Sequence, residues 1–179
     1  MGNESAKESS TVYFDHMVMN IAEGRNDALS ELYDQLKKPV FVLALSILQD
    51  YYAAEDVMQE TFVKVVLNAN DYRQGTNARA WIFSIARNLC LDTLKKKTND
   101  ELTDNIPDLD NFEEKAASSI DFLRMLQGLN EDEKQIIVMH FYGGFKKVQI
   151  AELMGVPSAN VRVAYARALK KLKNNIKLL

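Results

Sequence analysis

Residues 146–173 read KKVQIAELMGVPSANVRVAYARALKKLK. The stretch predicts a helix, a three-residue turn and a second helix without an acidic side chain, the layout of a helix-turn-helix DNA reader. Ala151 is small where two helices must approach closely, and Gly155 lets the backbone reverse at the end of the first helix. Val156 and Val161 place apolar contacts on either side of the turn, and Pro157 suits the entry of the second helix, where its fixed φ is already helical. From Gly155 to Leu179 there are six Lys or Arg (Arg162, Arg167, Lys170, Lys171, Lys173, Lys177) and no Asp or Glu, in a chain of net charge −3. Positive charge is gathered where a phosphate backbone would be gripped. Ordinary helical hairpins share this spacing, and a lysine-rich last turn can merely complement a helix dipole, so the rest of the chain has to decide.

With 179 residues, 47 % of them hydrophobic, the chain can build one medium core or two small ones. Three prolines, seven glycines and apolar residues recurring at spacings of three and four predict an all-α protein. The N-terminal MGNESAKESS is polar and has no apolar h-region, so no targeting segment is expected there, and residues 1–12 are expected to form a disordered N-terminal segment. The longest apolar run, Val40 to Leu45, is too short to span a bilayer, which predicts a cytoplasmic protein with no membrane insertion. The single cysteine, Cys90, sits in an apolar helical pattern and reads as a small buried thiol. His16 and His140 have no partner at ligand spacing, so neither a metal site nor a cofactor is expected.

Charge divides the chain into three parts. Residues 1–98 carry 11 basic and 13 acidic side chains, residues 99–117 carry one and seven, and residues 118–179 carry ten and five. The middle part, NDELTDNIPDLDNFEEKAA, has little apolar periodicity and reads as a solvated linker between two helical domains, 13–98 and 118–179. Such an acidic strand could also occupy a nucleic-acid groove of the neighbouring basic domain.

Helical periodicity in the first part covers Asn26–Lys37, Pro39–Gln49, Ala53–Ala69 and Asn77–Lys97, with breaks at Pro39, at Asp50–Tyr52 and at Asp71–Thr76. A four-helix domain follows. In Ala53–Ala69, Val57, Phe62, Val65 and Val66 form one apolar face, while Glu55, Asp56, Gln59, Glu60 and Lys64 lie largely off it. In Asn77–Lys97, Arg79, Trp81, Arg87, Asn88 and Lys95–Lys97 mix cations, an aromatic and an amide, a composition suited to single-stranded nucleic acid, although Trp81 reads more readily as a core or domain-edge residue.

In order, AEDVMQETFVKV (54–65), NARAWIFSIARNLCLDTLKK (77–96), the acidic linker, LNEDEKQIIVMHFYGGF (129–145) and the helix-turn-helix closely resemble a bacterial RNA polymerase sigma factor of the extracytoplasmic-function group of the sigma-70 family. The resemblance spans Asn26 to Lys173. It implies two helical domains, one that binds the polymerase clamp and opens the minus-ten promoter element and one that reads the minus-thirty-five element. It also implies core RNA polymerase (clamp and flap of the large subunits), promoter DNA and an anti-sigma factor as partners. Asp56, Gln59 and Glu60 match the clamp contact. Asp71–Thr76, including Tyr72 and Arg73, matches the loop that captures a base flipped from the non-template strand, with Arg79, Trp81, Asn88 and Lys95 as adjoining strand contacts. Ser158, Asn160, Arg162, Tyr165 and Arg167 stand on the implied recognition helix, its N-terminal residues toward base edges and Arg167, Lys170 and Lys171 toward phosphates. Arg162 is the foremost candidate for base readout.

Some positions depart from the family pattern. Where a Thr, Val, basic residue, Ser and Arg are usual, the chain has Asn160, Val161, Arg162, Val163 and Ala164; Gln149 replaces a common Glu, and Phe145-Lys146-Lys147 replaces a Ser-containing helix start. These changes bear on the DNA sequence read. Two other functions remain open: a decoy that binds an anti-sigma protein without promoter activity, and a simple helix-turn-helix regulator. No nucleophile–base pair, phosphate-binding glycine loop or metal constellation points to an enzyme.

Overall fold

The computed structural model describes residues 2–99 and 121–176, so nearly all of the expected linker, and Lys177 with it, lies outside the described residues. Regular structure among the described residues is helical. The first group comprises α1 (Gly2–Ala22), α2 (Asn26–Leu48), α3 (Tyr51–Asn68), a 3-10 turn (Ala69–Asp71) and α4 (Ala78–Asn99). After a helical segment at 121–125, the second comprises α5 (Glu131–Phe141), α6 (Lys147–Met154) and α7 (Ser158–Ile176).

Two expectations are corrected. Residues 2–12, expected within a disordered segment, are helical: α1 starts at Gly2. Phe14, Met17, Val18 and Ile21, spaced by three and four, bury one face of α1 against the bundle and anchor the helix there. Nor does Pro39 end a helix, since α2 runs straight through it. An interior proline costs about 3 kcal/mol, but Leu32, Leu36, Val40 and Leu43 lie fully buried along one stripe across it. At about 1.5–3 kcal/mol for each buried side chain, that stripe outweighs the missing hydrogen bond.

The other breaks fall close to where the sequence puts them, except that Tyr51 and Tyr52 already belong to α3 and Asp71 ends the 3-10 turn. Asp50 caps α3, its Oδ1 accepting from the Ala53 N–H at 3.0 Å. Asn77, with φ 72°, caps α4 through its Oδ1, which accepts from the Ala80 N–H at 3.1 Å. In α3, Val57, Phe62 and Val65 are buried as expected, whereas Val66 faces solvent. Cys90 is buried, and burial pushes its thiol up to about 12, leaving it protonated and inert.

The two helical groups meet along a seam in which α5 packs on α2 and α6 on α4. Phe83 of α4 and Phe145 meet edge to face at 4.9 Å, both buried. Beside them Arg87 Nε donates to Oε1 of the buried Gln135 at 2.9 Å. Phe145 reaches the seam because the chain folds back on α5 at Gly143–Gly144, where Gly144 has φ 68°. A Cβ on Gly143 would lie 2.5 Å from the Met139 carbonyl oxygen and 2.7 Å from the Phe145 ring. Gly143→Ala is therefore expected to destabilise the protein by about 1–3 kcal/mol, read as a lowered urea midpoint. An unchanged midpoint would show that the turn relaxes without displacing Phe145.

Candidate nucleic-acid and polymerase interfaces

The turn between α6 and α7 is built as the residues demand. Gly155 takes φ 67°, and the Val156 N–H closes back on the Ala151 carbonyl at 3.0 Å, a glycine-dependent helix stop. Ala151 and Val161 are buried at the crossing. Gln149, in place of a Glu, still caps the start of α6, its Oε1 accepting from the Lys146 N–H at 2.9 Å. Val161, Ala168 and Leu172 bury one side of α7, and the other side turns Asn160, Arg162, Arg167 and Lys170 to solvent.

Three residues expected on the DNA-facing surface sit differently. Tyr165 is half-buried, edge-on to His140 at 4.9 Å and beneath Lys147 Nζ, 4.1 Å from the ring centroid, so it serves as a post between helices. Ser158 is half-buried and its hydroxyl is enclosed. Lys171 turns inward, its Nζ 2.6 Å from Oε2 of Glu133, whose side chain is 1 % exposed. Glu133 also closes a reciprocal cap with Asn130: the Asn130 N–H donates to Oε2 at 3.0 Å, and the Glu133 N–H donates to Asn130 Oδ1 at 2.9 Å. Burial alone would raise the Glu133 pKa, but the hydrogen bonds from Lys171 and Asn130 and the charges of Lys171 and Arg167 hold it below its ordinary value.

The segment between α3 and α4 is a formed loop. Tyr72 is buried, while Asp71, Arg73, Gln74 and Thr76 are exposed. Thr76 Oγ1 donates to the Arg73 carbonyl at 2.6 Å, tightening the bend. From below, a carboxylate absent from the sequence reading holds it: Asp15 of α1 accepts from Tyr72 Oη at 2.6 Å, the Gly75 N–H at 2.9 Å and the Ala78 N–H at 2.8 Å. Burial, then the bond to Asp15, pushes the Tyr72 hydroxyl up to about 12, so it remains a donor. Trp81 is half-buried with its ring 5.2 Å from that of Tyr72, a domain-edge position.

Along α4, Asn88 and Lys95 are exposed, but Arg79 is drawn into the seam. Its guanidinium lies 5.4 Å from the centre of the Phe14 ring and 5.9 Å from that of Phe145, and Nη2 points at the Tyr142 carbonyl, 3.4 Å away. Burial lowers its pKa from the ordinary value. Arg79, the first cation of α4 after the loop, is thus partly covered by the second helical group.

On α3, Asp56, Gln59 and Glu60 are exposed as expected. The same outer face carries Tyr52, Val63, Val66 and Leu67, with Leu67 71 % exposed. Positions 52, 56, 59, 63 and 66–67 form one stripe at helical spacing, apolar at its ends and polar between. Exposed apolar side chains in a row along a helix make this a candidate protein-binding face. The apolar members were missed because Val66 was assigned to the core face, although their period alone would have revealed the stripe.

Removing the Lys171 ammonium should leave Glu133 as a poorly compensated buried carboxylate. Lys171→Ala is expected to cost about 1–2 kcal/mol, less than a fully buried pair because the lysine side chain is 41 % exposed. Since the folded Glu133 pKa is depressed, this contribution is fully present above the ordinary Glu value and lost as pH falls through the lower folded value. Urea midpoints of wild type and variant should converge on acidification; a gap that persists in acid would mean that packing, not charge, holds Lys171.

Sequence and fold comparisons agree with this layout. The sigma-70 region 2 model matches residues 32–99 and the sigma-70 region 4 model residues 119–172. The chain is 22 % identical over 177 residues to the ECF RNA polymerase sigma factor SigW of Bacillus subtilis, covering 89 % of this chain and 95 % of SigW. It is 25 % identical over 177 residues to the probable RNA polymerase sigma factor RfaY of Xanthomonas campestris, a longer protein of which it spans 43 %, with 90 % of this chain covered. The fold matches that of CnrH, solved with the cytosolic domain of CnrY, with a TM-score of 0.70 at 19 % identity over 93 % of this chain and 98 % of CnrH. It also matches RpoE of Bartonella quintana, solved with the anti-sigma factor NepR, with a TM-score of 0.66 at 20 % identity over 83 % of this chain and 96 % of that one. With both regions matched in order on an all-helical two-domain chain, the protein is a member of the sigma-70 family, in its extracytoplasmic-function group.

Proposed function

We propose that the chain is a non-enzymatic specificity subunit, which joins core RNA polymerase in the cytoplasm, selects a set of promoters and helps to open them. One observation carries this reading: a single chain joins a helix-turn-helix with a basic outer face to a second helical unit that carries both an exposed protein-binding stripe and a formed loop. A simple helix-turn-helix regulator would need neither. Residues 13–98 act as the polymerase-binding and promoter-opening domain, and residues 118–179 as the upstream-element reader. Asp56, Gln59 and Glu60, with Val63 and Leu67 beside them, meet the polymerase clamp, the charges orienting the encounter and the apolar groups adding burial.

Promoter opening draws on binding energy alone. Asp71, Arg73 and the rest of the exposed loop rim receive a base flipped from the non-template strand, while Asn88 and Lys95 follow that strand along α4. Arg79 joins them once the two helical groups part, since it is covered while they are together. The fold shared with RpoE, which was solved with an anti-sigma factor, supports a partner of that kind for this chain as well.

In vitro transcription with core polymerase on a promoter pool tests the reading: initiation from a discrete subset supports it, and binding without initiation would make the chain a decoy. Reversing the stripe with Asp56→Lys and Gln59→Lys is expected to abolish capture by core polymerase while upstream-element binding survives. Normal holoenzyme affinity would remove the clamp role. Arg162→Ala should weaken upstream-element binding by about 1–3 kcal/mol and relax preference at one or two base pairs. An equal loss on every sequence, measured by competition binding, would reassign Arg162 to phosphate contact.

A further inference from the structure

Asp15 lies on α1, outside residues 32–99 that match region 2, yet it is the group on which the loop converges. Its carboxylate is 4 % exposed. Among the described residues no lysine or arginine pairs with it; its partners are the Tyr72 hydroxyl and the N–H groups of Gly75 and Ala78. Ala78 opens α4, so the charge also sits at the positive end of that helix. A buried carboxylate is costly, and packing alone would be served by an apolar side chain of similar size. What an apolar residue cannot do is tie three points of one loop to one centre. The loop's own bonds, from the Thr76 hydroxyl and N–H to the Arg73 carbonyl and from Thr76 to the Tyr72 hydroxyl, lie within the bend and shape it. Asp15 sets where that bend stands relative to α4, with Asp71, Arg73, Gln74 and Thr76 outward.

We propose that Asp15 is the positioning residue of the strand-capturing loop, holding residues 72–78 in the shape that receives a flipped base. This rests on the reading of that loop under the proposed function, and the test separates the two. Asp15→Asn is nearly isosteric and keeps one oxygen for Tyr72 and Ala78, but turns an amide donor toward the Gly75 N–H. Tyr72→Phe removes one donor from the loop side and leaves Asp15 in place. Each is assembled into holoenzyme and placed on a promoter recovered from the pool, with the non-template minus-ten bases replaced one at a time by abasic sites. Open complex is read by permanganate reactivity, and core and upstream-element binding are read in parallel.

For wild type, one abasic position should lower open-complex occupancy about tenfold, the loss of a captured base. Asp15→Asn should lower occupancy on the intact promoter by a similar factor, with core and upstream-element binding unchanged and with no further loss at that abasic position. Tyr72→Phe should fall between. If wild type shows no sensitive position, the loop reading itself fails. If wild type is sensitive and both variants stay equally sensitive, the loop reading stands and the role of Asp15 is overturned. Should Asp15→Asn also lose core binding, Tyr72→Phe decides: reduced base sensitivity supports the proposal, and wild-type sensitivity refutes it.

Discussion

The contact of Phe145 with Phe83 is the constraint on which the arrangement depends. It exists only because Gly143 and Gly144 let the chain double back after α5, which delivers an aromatic ring from the second helical group into the core of the first. Around that contact the Arg87–Gln135 hydrogen bond and the Arg79 guanidinium add polar partners that fix the register of the two groups. Aromatic burial supplies the larger share of the association, and the polar groups make other dockings expensive, because a displaced Gln135 or Arg79 would be left buried without its partner.

Buried charge is used sparingly and each time to organise backbone. Glu133 closes the start of α5 and takes Lys171 from α7, so one carboxylate joins two helices of the DNA-reading unit. Asp15 does the corresponding work between α1 and the loop before α4. In both cases the acceptor meets N–H groups at a helix start, where backbone donors lack partners and the dipole favours a negative charge.

Much of the organisation was legible in the residues. The turn at Gly155, the cap at Asp50, the loop at Asp71–Thr76 and the outward Asp56, Gln59 and Glu60 all follow from local chemistry, which acts over a few residues and leaves a signature in the spacing. What was not legible depends on contacts between distant parts. Pro39 reads as a stop until the buried stripe on either side of it is known. Asp15 reads as one more solvated acid until a tyrosine and two amides, 57 to 63 residues away, close on it. Lys171 and Tyr165 look like members of a cationic, DNA-facing helix, and only packing shows that one serves a buried carboxylate and the other an inter-helix joint.

Under the proposed function Arg79 would belong to two surfaces that cannot be occupied together: beside Phe14 and Phe145 it is part of the joint, and on a melted strand it would be part of the DNA contact. Linkage follows. If α4 takes single strand as proposed, whatever separates the two helical groups would raise its affinity for that strand, and a strand engaging Arg79 would favour separation by the same free energy. Specificity of assembly would then be a matter of order: free DNA would meet a chain whose α4 is incompletely available, whereas DNA held beside a polymerase that parts the groups would meet the complete surface. On the proposed reading, a guanidinium held against two aromatic rings would make strand capture depend on prior assembly.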